Sequence, residues 1–137
     1  MRKLLKILFI EDDTIESMKF NRVIATLKFG HHINEAKNGE EALAFLTHKD
    51  NLPDIIILDL NMPKLNGIDF LTILKNDIVL NYIPAIILTT SCNHNDIKQC
   101  YKIGIAGYIL KPLKYEDYIS KIKHVLEYWS NNELITE

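Results

Sequence analysis

The feature that most constrains this chain is a series of short apolar runs, Leu4–Ile10, Ile33–Ala36, Ile55–Leu58, Ala85–Leu88 and Tyr108–Leu110, each followed by a longer stretch of helical period. Runs with almost no polar interruption suit strands buried on both faces, which is what a parallel sheet demands. The stretches between them carry Ile15, Met18, Val23, Ile24 and Leu27, then Ala42, Leu43, Phe45 and Leu46, then Ile68, Leu71 and Leu74. A weaker repeat spans 96–103, and Tyr118, Ile119, Ile122, Val125, Leu126 and Trp129 form a clear final stripe. These spacings predict amphipathic helices. Asn38-Gly39, Asn66-Gly67 and Gly104 punctuate the pattern, and Pro53, Pro63, Pro84 and Pro112 fall outside helix interiors. The predicted class is α/β: a doubly wound (βα)5 parallel sheet with helices on both faces and one edge where the carboxyl ends of all strands open.

A chain of 137 residues is one domain by size, predicted over residues 1–130 with 131–137 as a short polar tail. Apolar residues at 47% and charged ones at 25% suit a soluble globular protein. No run approaches the ~18 apolar residues of a membrane span, and the opening MRKLLKILFIEDD runs straight into acids. The expectation is a cytoplasmic protein with no membrane partner. A net charge of −2 supplies no basic field, so direct DNA binding is not expected. Cys92 and Cys100 match neither a zinc spacing nor a CxxC pair and read as reduced thiols on one helix. His31, His32, His48, His94 and His124 form no ligand spacing and are predicted at the surface.

The strand ends hold the chemistry. Strand one ends in Glu11-Asp12-Asp13, strand three in Asp59, strand four in Thr89-Thr90-Ser91 and strand five in Lys111-Pro112. In a parallel sheet these ends point the same way, so acids, a hydroxyl and an ammonium converge at one rim. Clustered carboxylates repel one another unless a cation sits among them, and all-oxygen ligation suits Mg²⁺. A carboxylate is also a competent nucleophile toward phosphorus. A lone Asp after a strand is ordinarily a turn or cap residue; here its company points to phosphoryl chemistry. Thr90 and Ser91 also have a simpler role open to them, capping the helix after strand four.

Taken in order, the segments "ILFIEDD", "DIIILDLNMPKLNG", "IPAIILTTS" and "GIAGYILKP" resemble the receiver domain of bacterial two-component response regulators, over roughly Leu4 to Trp129. The resemblance implies a flavodoxin-like receiver architecture and a set of roles. Asp59 matches the phosphoacceptor. Glu11 and Asp12 match the acidic pair that holds Mg²⁺, which Mn²⁺ can replace, Asp12 directly and Glu11 directly or through water, with Asp59 and the Asn61 backbone carbonyl as further ligands. Asp13 falls where the family varies and is not expected to be a ligand. Thr89 matches the switch hydroxyl, Lys111 the lysine that pairs with the phosphoryl group, and Tyr108 the switch aromatic. Asn61 and Ser91 occupy the positions that tune phosphoryl lifetime; neither is an acid or a long amide, which implies an intermediate lifetime. Pro112 is expected to follow a cis peptide bond.

The resemblance further implies a partner, a sensor histidine kinase or histidine phosphotransfer protein, that supplies the phosphohistidine. Output is expected through the face of helix four, strand five and helix five, where Tyr101, Tyr115, Tyr118 and Trp129 concentrate, either to a downstream protein or to a second copy in a homodimer. With no output domain following, a stand-alone receiver is expected rather than a turnover enzyme. Two other classes compete: a pseudo-receiver that binds partners without phosphorylation, and a haloacid-dehalogenase-type phosphohydrolase. The second of these wants an acid two residues after the nucleophile, where this chain has Asn61.

Overall fold

The computed structural model describes residues 3–135. The elements alternate as β1 (Lys6–Ile10), α1 (Thr14–Leu27), β2 (His32–Ala36), α2 (Gly39–Leu46), β3 (Ile55–Leu58), α3 (Gly67–Asn76), β4 (Ala85–Thr89), α4 (His94–Ile103), β5 (Gly107–Leu110) and α5 (Tyr115–Ser130), with 3₁₀ turns at Lys49–Asn51 and Leu80–Tyr82. All strand pairings are parallel and the sheet order is β2-β1-β3-β4-β5. The five-stranded α/β sandwich expected from the apolar runs is the fold observed.

Alternate strand residues feed two apolar layers. Ile7, Phe9, Ile55, Ile57, Ile86 and Leu88 pack with Phe20 and Val23 of α1 and Tyr118, Ile122 and Leu126 of α5. Leu8, Ile10, Ile56, Leu58 and Ile87 face the other way, toward residues of α2, α3 and α4 such as Leu46, Phe70, Leu74 and Cys100. β1, β3 and β4 are therefore buried on both faces, as their near-continuous Ile/Leu sequences require. β2 is an edge strand, so its apolar content is thin: Ile33 reaches one layer and Ala36 the other. Beyond α5, Leu134 packs on the α1/α5 layer and Glu133 meets Lys3 at 2.8 Å.

The Asn-Gly pairs turn out to be helix starts. Asn38 caps α2 by accepting the Glu41 N–H at 2.9 Å, and Asn66 caps α3 by accepting the Asp69 N–H at 2.9 Å. The glycine that follows each is needed for close approach: a Cβ on Gly39 would lie 2.6 Å from the Leu65 carbonyl oxygen.

Four local expectations are corrected. Ile15 and Met18 are 76% and 62% exposed, because the core face of α1 is Phe20, Val23 and Leu27 and the other two residues lie round the helix from it. His31 is buried, since its Nδ1 accepts the Leu5 N–H at 2.9 Å and its ring stands edge-on to Phe29. Cys92 precedes α4 and only Cys100 lies on it, buried against the sheet. Tyr118 belongs to the core, so of the four aromatics assigned to the α4–β5–α5 face it offers nothing to a partner.

Candidate functional site

The site sits where the strand order reverses direction, between β1 and β3, at the carboxyl edge. Ile10 and Leu58 are the last registered pair of those strands, which places Glu11 and Asp59 side by side one step further on. Their backbones are anchored: the Asp59 N–H donates to Ile10 O at 3.1 Å, and the Glu11 N–H to Ala36 O at 3.0 Å. Asp12 follows, exposed at the rim. Asp13 caps α1, its Oδ1 accepting the Ile15 and Glu16 N–H groups at 2.8 and 3.2 Å.

One carboxylate oxygen from each of Glu11, Asp12 and Asp59 lies within 4.8 Å of the others. Asp59 Oδ1 is buried and has no hydrogen-bond partner among the described residues. Leaving such an oxygen unsatisfied costs about 1–3 kcal/mol, and three converging hard oxygen donors are the set a small divalent cation takes. These residues fit Mg²⁺ or Mn²⁺.

Lys111 is the ammonium at this cluster. β5 pairs with β4, and the Lys111 N–H donates to Thr89 O at 2.8 Å, so the side chain projects over the rim. Its Nζ lies 2.7 Å from Glu11 Oε1, 3.7 Å from Glu16 Oε1 and 3.9 Å from Asp59 Oδ2. Burial alone would lower the ammonium's pKa, yet the Glu11 hydrogen bond and the charges of Asp59, Glu11 and Glu16 outweigh it and hold the value above that of ordinary lysine. The Glu11 carboxyl is raised too: burial pushes it up to about 7, more than Lys111 pulls it down, with Asp59 adding repulsion.

Thr89 closes β4 and is fully buried, its Oγ1 accepting the Ser91 N–H at 3.4 Å. Ser91 does not cap α4. Asn93 does, accepting the Asn95 and Asp96 N–H groups, while the Ser91 hydroxyl donates to Asp96 Oδ2 at 3.1 Å. Tyr108 is half-buried and its hydroxyl donates to Ser91 O at 2.7 Å, so it is tied to the β4–α4 segment and makes no bond to the acids. Asn61 is exposed in a cleft of about 510 Å³ lined also by Met62, Asp69 and Asp96. The bond before Pro112 is trans, correcting the cis bond that the family resemblance implied. Trans is the intrinsically preferred isomer by about 0.5–1 kcal/mol, and both Lys111 hydrogen bonds are made with it.

Glu16 is the residue that strand-end reasoning missed, because it reaches the rim from a helix. It lies in the first turn after a cap, three residues beyond Asp13, a common place for an acid, so the sequence held no signal that set it apart.

Gly67 holds the loop after Asp59 against the strand. A Cβ there would lie 2.7 Å from Leu60 Cα and 2.9 Å from Asp59 O, both backbone atoms that cannot yield cheaply. Gly67→Ala is therefore expected to cost about 1–3 kcal/mol in urea denaturation and to displace the Asp59 backbone.

Comparison with known proteins decides the family. The model of the response regulator receiver domain matches residues 7–123. The chain belongs to the response regulator receiver family. This receiver is 32% identical over 127 residues to the probable methanogenesis regulatory protein FilR2 of Methanothrix harundinacea, covering 90% of this chain and 82% of that protein. It is 30% identical over 128 residues to the response regulator Rcp1 of Synechocystis sp., covering 90% and 87%. Among solved structures, the phosphorylated cyanobacterial phytochrome response regulator RcpA superposes with a TM-score of 0.90 at 29% identity, covering 97% of this chain and 99% of that one. The Mn(2+)-bound form of Rcp1 superposes at 0.86 and 28% identity, with the same coverage. No helix of the receiver's described residues is long and apolar enough to cross a membrane.

Proposed function

We propose that this receiver accepts a phosphoryl group on Asp59 from the phosphohistidine of a sensor histidine kinase or histidine phosphotransfer protein and signals by a change of its α4–β5–α5 face. The observation that carries the reading is the pairing, at one rim, of a buried and unpartnered Asp59 oxygen with the Lys111 ammonium and the Glu11 and Asp12 carboxylates. An Asp59 oxygen attacks phosphorus as the bond from phosphorus to the donor imidazole nitrogen breaks; that nitrogen keeps the electron pair, and the ring, already protonated on its other nitrogen, leaves as neutral imidazole. Glu11, Asp12, Asp59 and the Asn61 carbonyl would hold Mg²⁺ or Mn²⁺, which would supply positive charge to the phosphoryl oxygens. The relatives whose structures are phosphorylated or Mn²⁺-bound support the same chemistry here.

Lys111 and the Thr89 hydroxyl meet the remaining phosphoryl charge, which is most of what phosphoryl transfer needs from a protein. The new group adds about −1.5 to −2 charges, drawing Thr89 and Lys111 toward Asp59 and pulling on the segments after β4 and β5. Tyr108, bonded to Ser91 O, is placed to sense the movement of that segment. Moving such an element from mostly off to mostly on requires ~5.5 kcal/mol of differential stabilisation. Tyr101 and Leu110, 52% and 38% exposed, offer the apolar contact for an output partner or a second copy. Asn61 and Ser91 set an intermediate lifetime, since neither side chain orients water as a strong base would.

The test is intact mass after incubation with acetyl phosphate, with and without Mg²⁺, on the native chain and on Asp59→Asn. A single phosphoryl adduct that needs Mg²⁺ and is absent from Asp59→Asn is the expected result. No adduct on the native chain would replace this reading with that of a pseudo-receiver, and turnover of small phosphate esters would replace it with a hydrolase.

A further inference from the structure

Glu16 is a fourth carboxylate at the rim and belongs to neither the strand ends nor the cation cluster. It stands in the first turn of α1, where the Asp13 cap holds its N–H at 3.2 Å and fixes the backbone beneath it. From there the side chain crosses toward β5. Oε1 lies 3.7 Å from Lys111 Nζ, and Oε2 is buried with no hydrogen-bond partner among the described residues. The side chain is only 25% exposed.

A first-turn acid gains from the helix dipole while fully solvated, so the dipole does not account for drawing this one inward. The rim already holds Glu11, Asp12 and Asp59, and each further negative charge there is unfavourable. A neutral glutamine of the same shape would avoid the repulsion. What repays the charge is the contact with Lys111.

Lys111 has to serve in two circumstances. As observed, its ammonium hydrogen-bonds Glu11 at 2.7 Å and stands 3.9 Å from Asp59. A divalent cation held by Glu11, Asp12 and Asp59 draws on the same Glu11 carboxylate and repels the ammonium. We propose that Glu16 is a positioning residue that keeps Lys111 aimed at Asp59 once the Glu11 carboxylate is shared with a divalent cation. At 3.7 Å it attracts the ammonium as an ion pair without a hydrogen bond, which Glu11 holds in this state, and is near enough to take that bond after a small side-chain movement. Asp59 lies at a similar distance, so the ammonium stays between the two and within reach of a phosphoryl oxygen. This inference rests on the phosphoacceptor reading above and adds a residue to it.

The test follows the Lys111 ammonium directly. Heteronuclear NMR of the lysine side chains, with the Lys111 signal identified by its absence from Lys111→Arg, is recorded on the native protein, Glu16→Gln and Glu16→Asp, before and after saturation with Mg²⁺. Adduct formation from acetyl phosphate is timed in parallel. The native signal is expected to persist in both conditions. In Glu16→Gln it persists without Mg²⁺, where Glu11 holds the ammonium, and is lost with Mg²⁺; Glu16→Asp, which keeps the charge, restores it. At saturating Mg²⁺ the adduct should form about fivefold more slowly in Glu16→Gln, the scale of one partly exposed ion pair, and recover in Glu16→Asp. An identical Mg²⁺ response of the Lys111 signal in Glu16→Gln and the native protein would overturn the proposal while leaving Asp59 as the acceptor. A native protein that forms no adduct from acetyl phosphate at saturating Mg²⁺ would remove the phosphoacceptor reading, and this proposal with it.

Discussion

Substituting Phe20 by alanine is expected to remove about 3–5 kcal/mol of stability, a large fraction of the ~5–15 kcal/mol that a domain possesses. The ring is fully buried and stacks on Phe9 with centroids 3.9 Å apart and planes 6° from parallel. Only Phe20 and Val23 of α1 are fully buried, so this ring is the main apolar attachment of that helix to the sheet. Its loss removes a large transfer term, leaves a cavity between β1 and α1, and forfeits about 0.5–1.5 kcal/mol of ring pairing. At ~2–4 °C per kcal/mol the melting temperature should fall by on the order of 10 °C. Urea and thermal denaturation provide the check, with Ile15→Ala as the contrast: at 76% exposure it should change stability by no more than about 0.5 kcal/mol. A cost below about 1 kcal/mol for Phe20→Ala would mean that α1 is held some other way. Because α1 carries the Asp13 cap and Glu16, Phe20→Ala should also slow adduct formation well below its own melting temperature.

The same contrast marks where sequence reading of the fold succeeds and fails. β1, β3 and β4 are legible because both faces are buried, so composition alone reveals them. Helix faces are harder. Ile15 and Met18 obey an i, i+3 spacing, as do Phe20 and Val23, but the two pairs lie on opposite sides of α1 at ~100° per residue. Which pair meets the sheet depends on how the helix is docked, and spacing within the helix does not carry that information. His31 illustrates another limit: its burial follows from accepting the Leu5 N–H across to the first strand, a contact set by tertiary pairing.

At the site, parallelism does most of the predictive work. Once strands are known to run the same way, Glu11, Asp12, Asp59 and Lys111 must share an edge, and the structure brings their charged groups together. The β2-β1-β3 order then makes β1 and β3 neighbours, which is why acids 48 positions apart, Glu11 and Asp59, come side by side. Glu16 escaped because a first-turn acid is so common for dipole reasons that it signals nothing by itself; only the 3.7 Å contact with Lys111 singles it out. The trans bond before Pro112 was likewise beyond reach, since the residue pair Lys-Pro is compatible with both isomers.

The largest solution effect should be a reversal of pH dependence on adding Mg²⁺. Burial raises the Glu11 carboxyl from 4.5 to about 7 in the folded, cation-free protein. Between those values the folded state binds more protons than the unfolded one, so this group's contribution favours folding at low pH and is lost as pH rises from about 4.5 to 7. Lys111 does not offset it there, because its own raised value lies above 10.5 and its contribution is present throughout the acidic and neutral range, fading only in strong base. A divalent cation inverts the Glu11 effect by binding the ionised form. Stabilisation by Mg²⁺ should therefore be small near pH 5, where the cation must displace a proton, and grow toward pH 8, reaching ~2.7 kcal/mol at a hundredfold excess over its dissociation constant. Thermal denaturation from pH 5 to 8 with Mg²⁺ or with chelator checks this. Glu11→Gln should flatten the cation-free profile by abolishing the titration. A Mg²⁺ stabilisation that is the same at pH 5 and pH 8 would mean that Glu11 is ionised throughout, and that burial at this rim is outweighed by its ammonium partner.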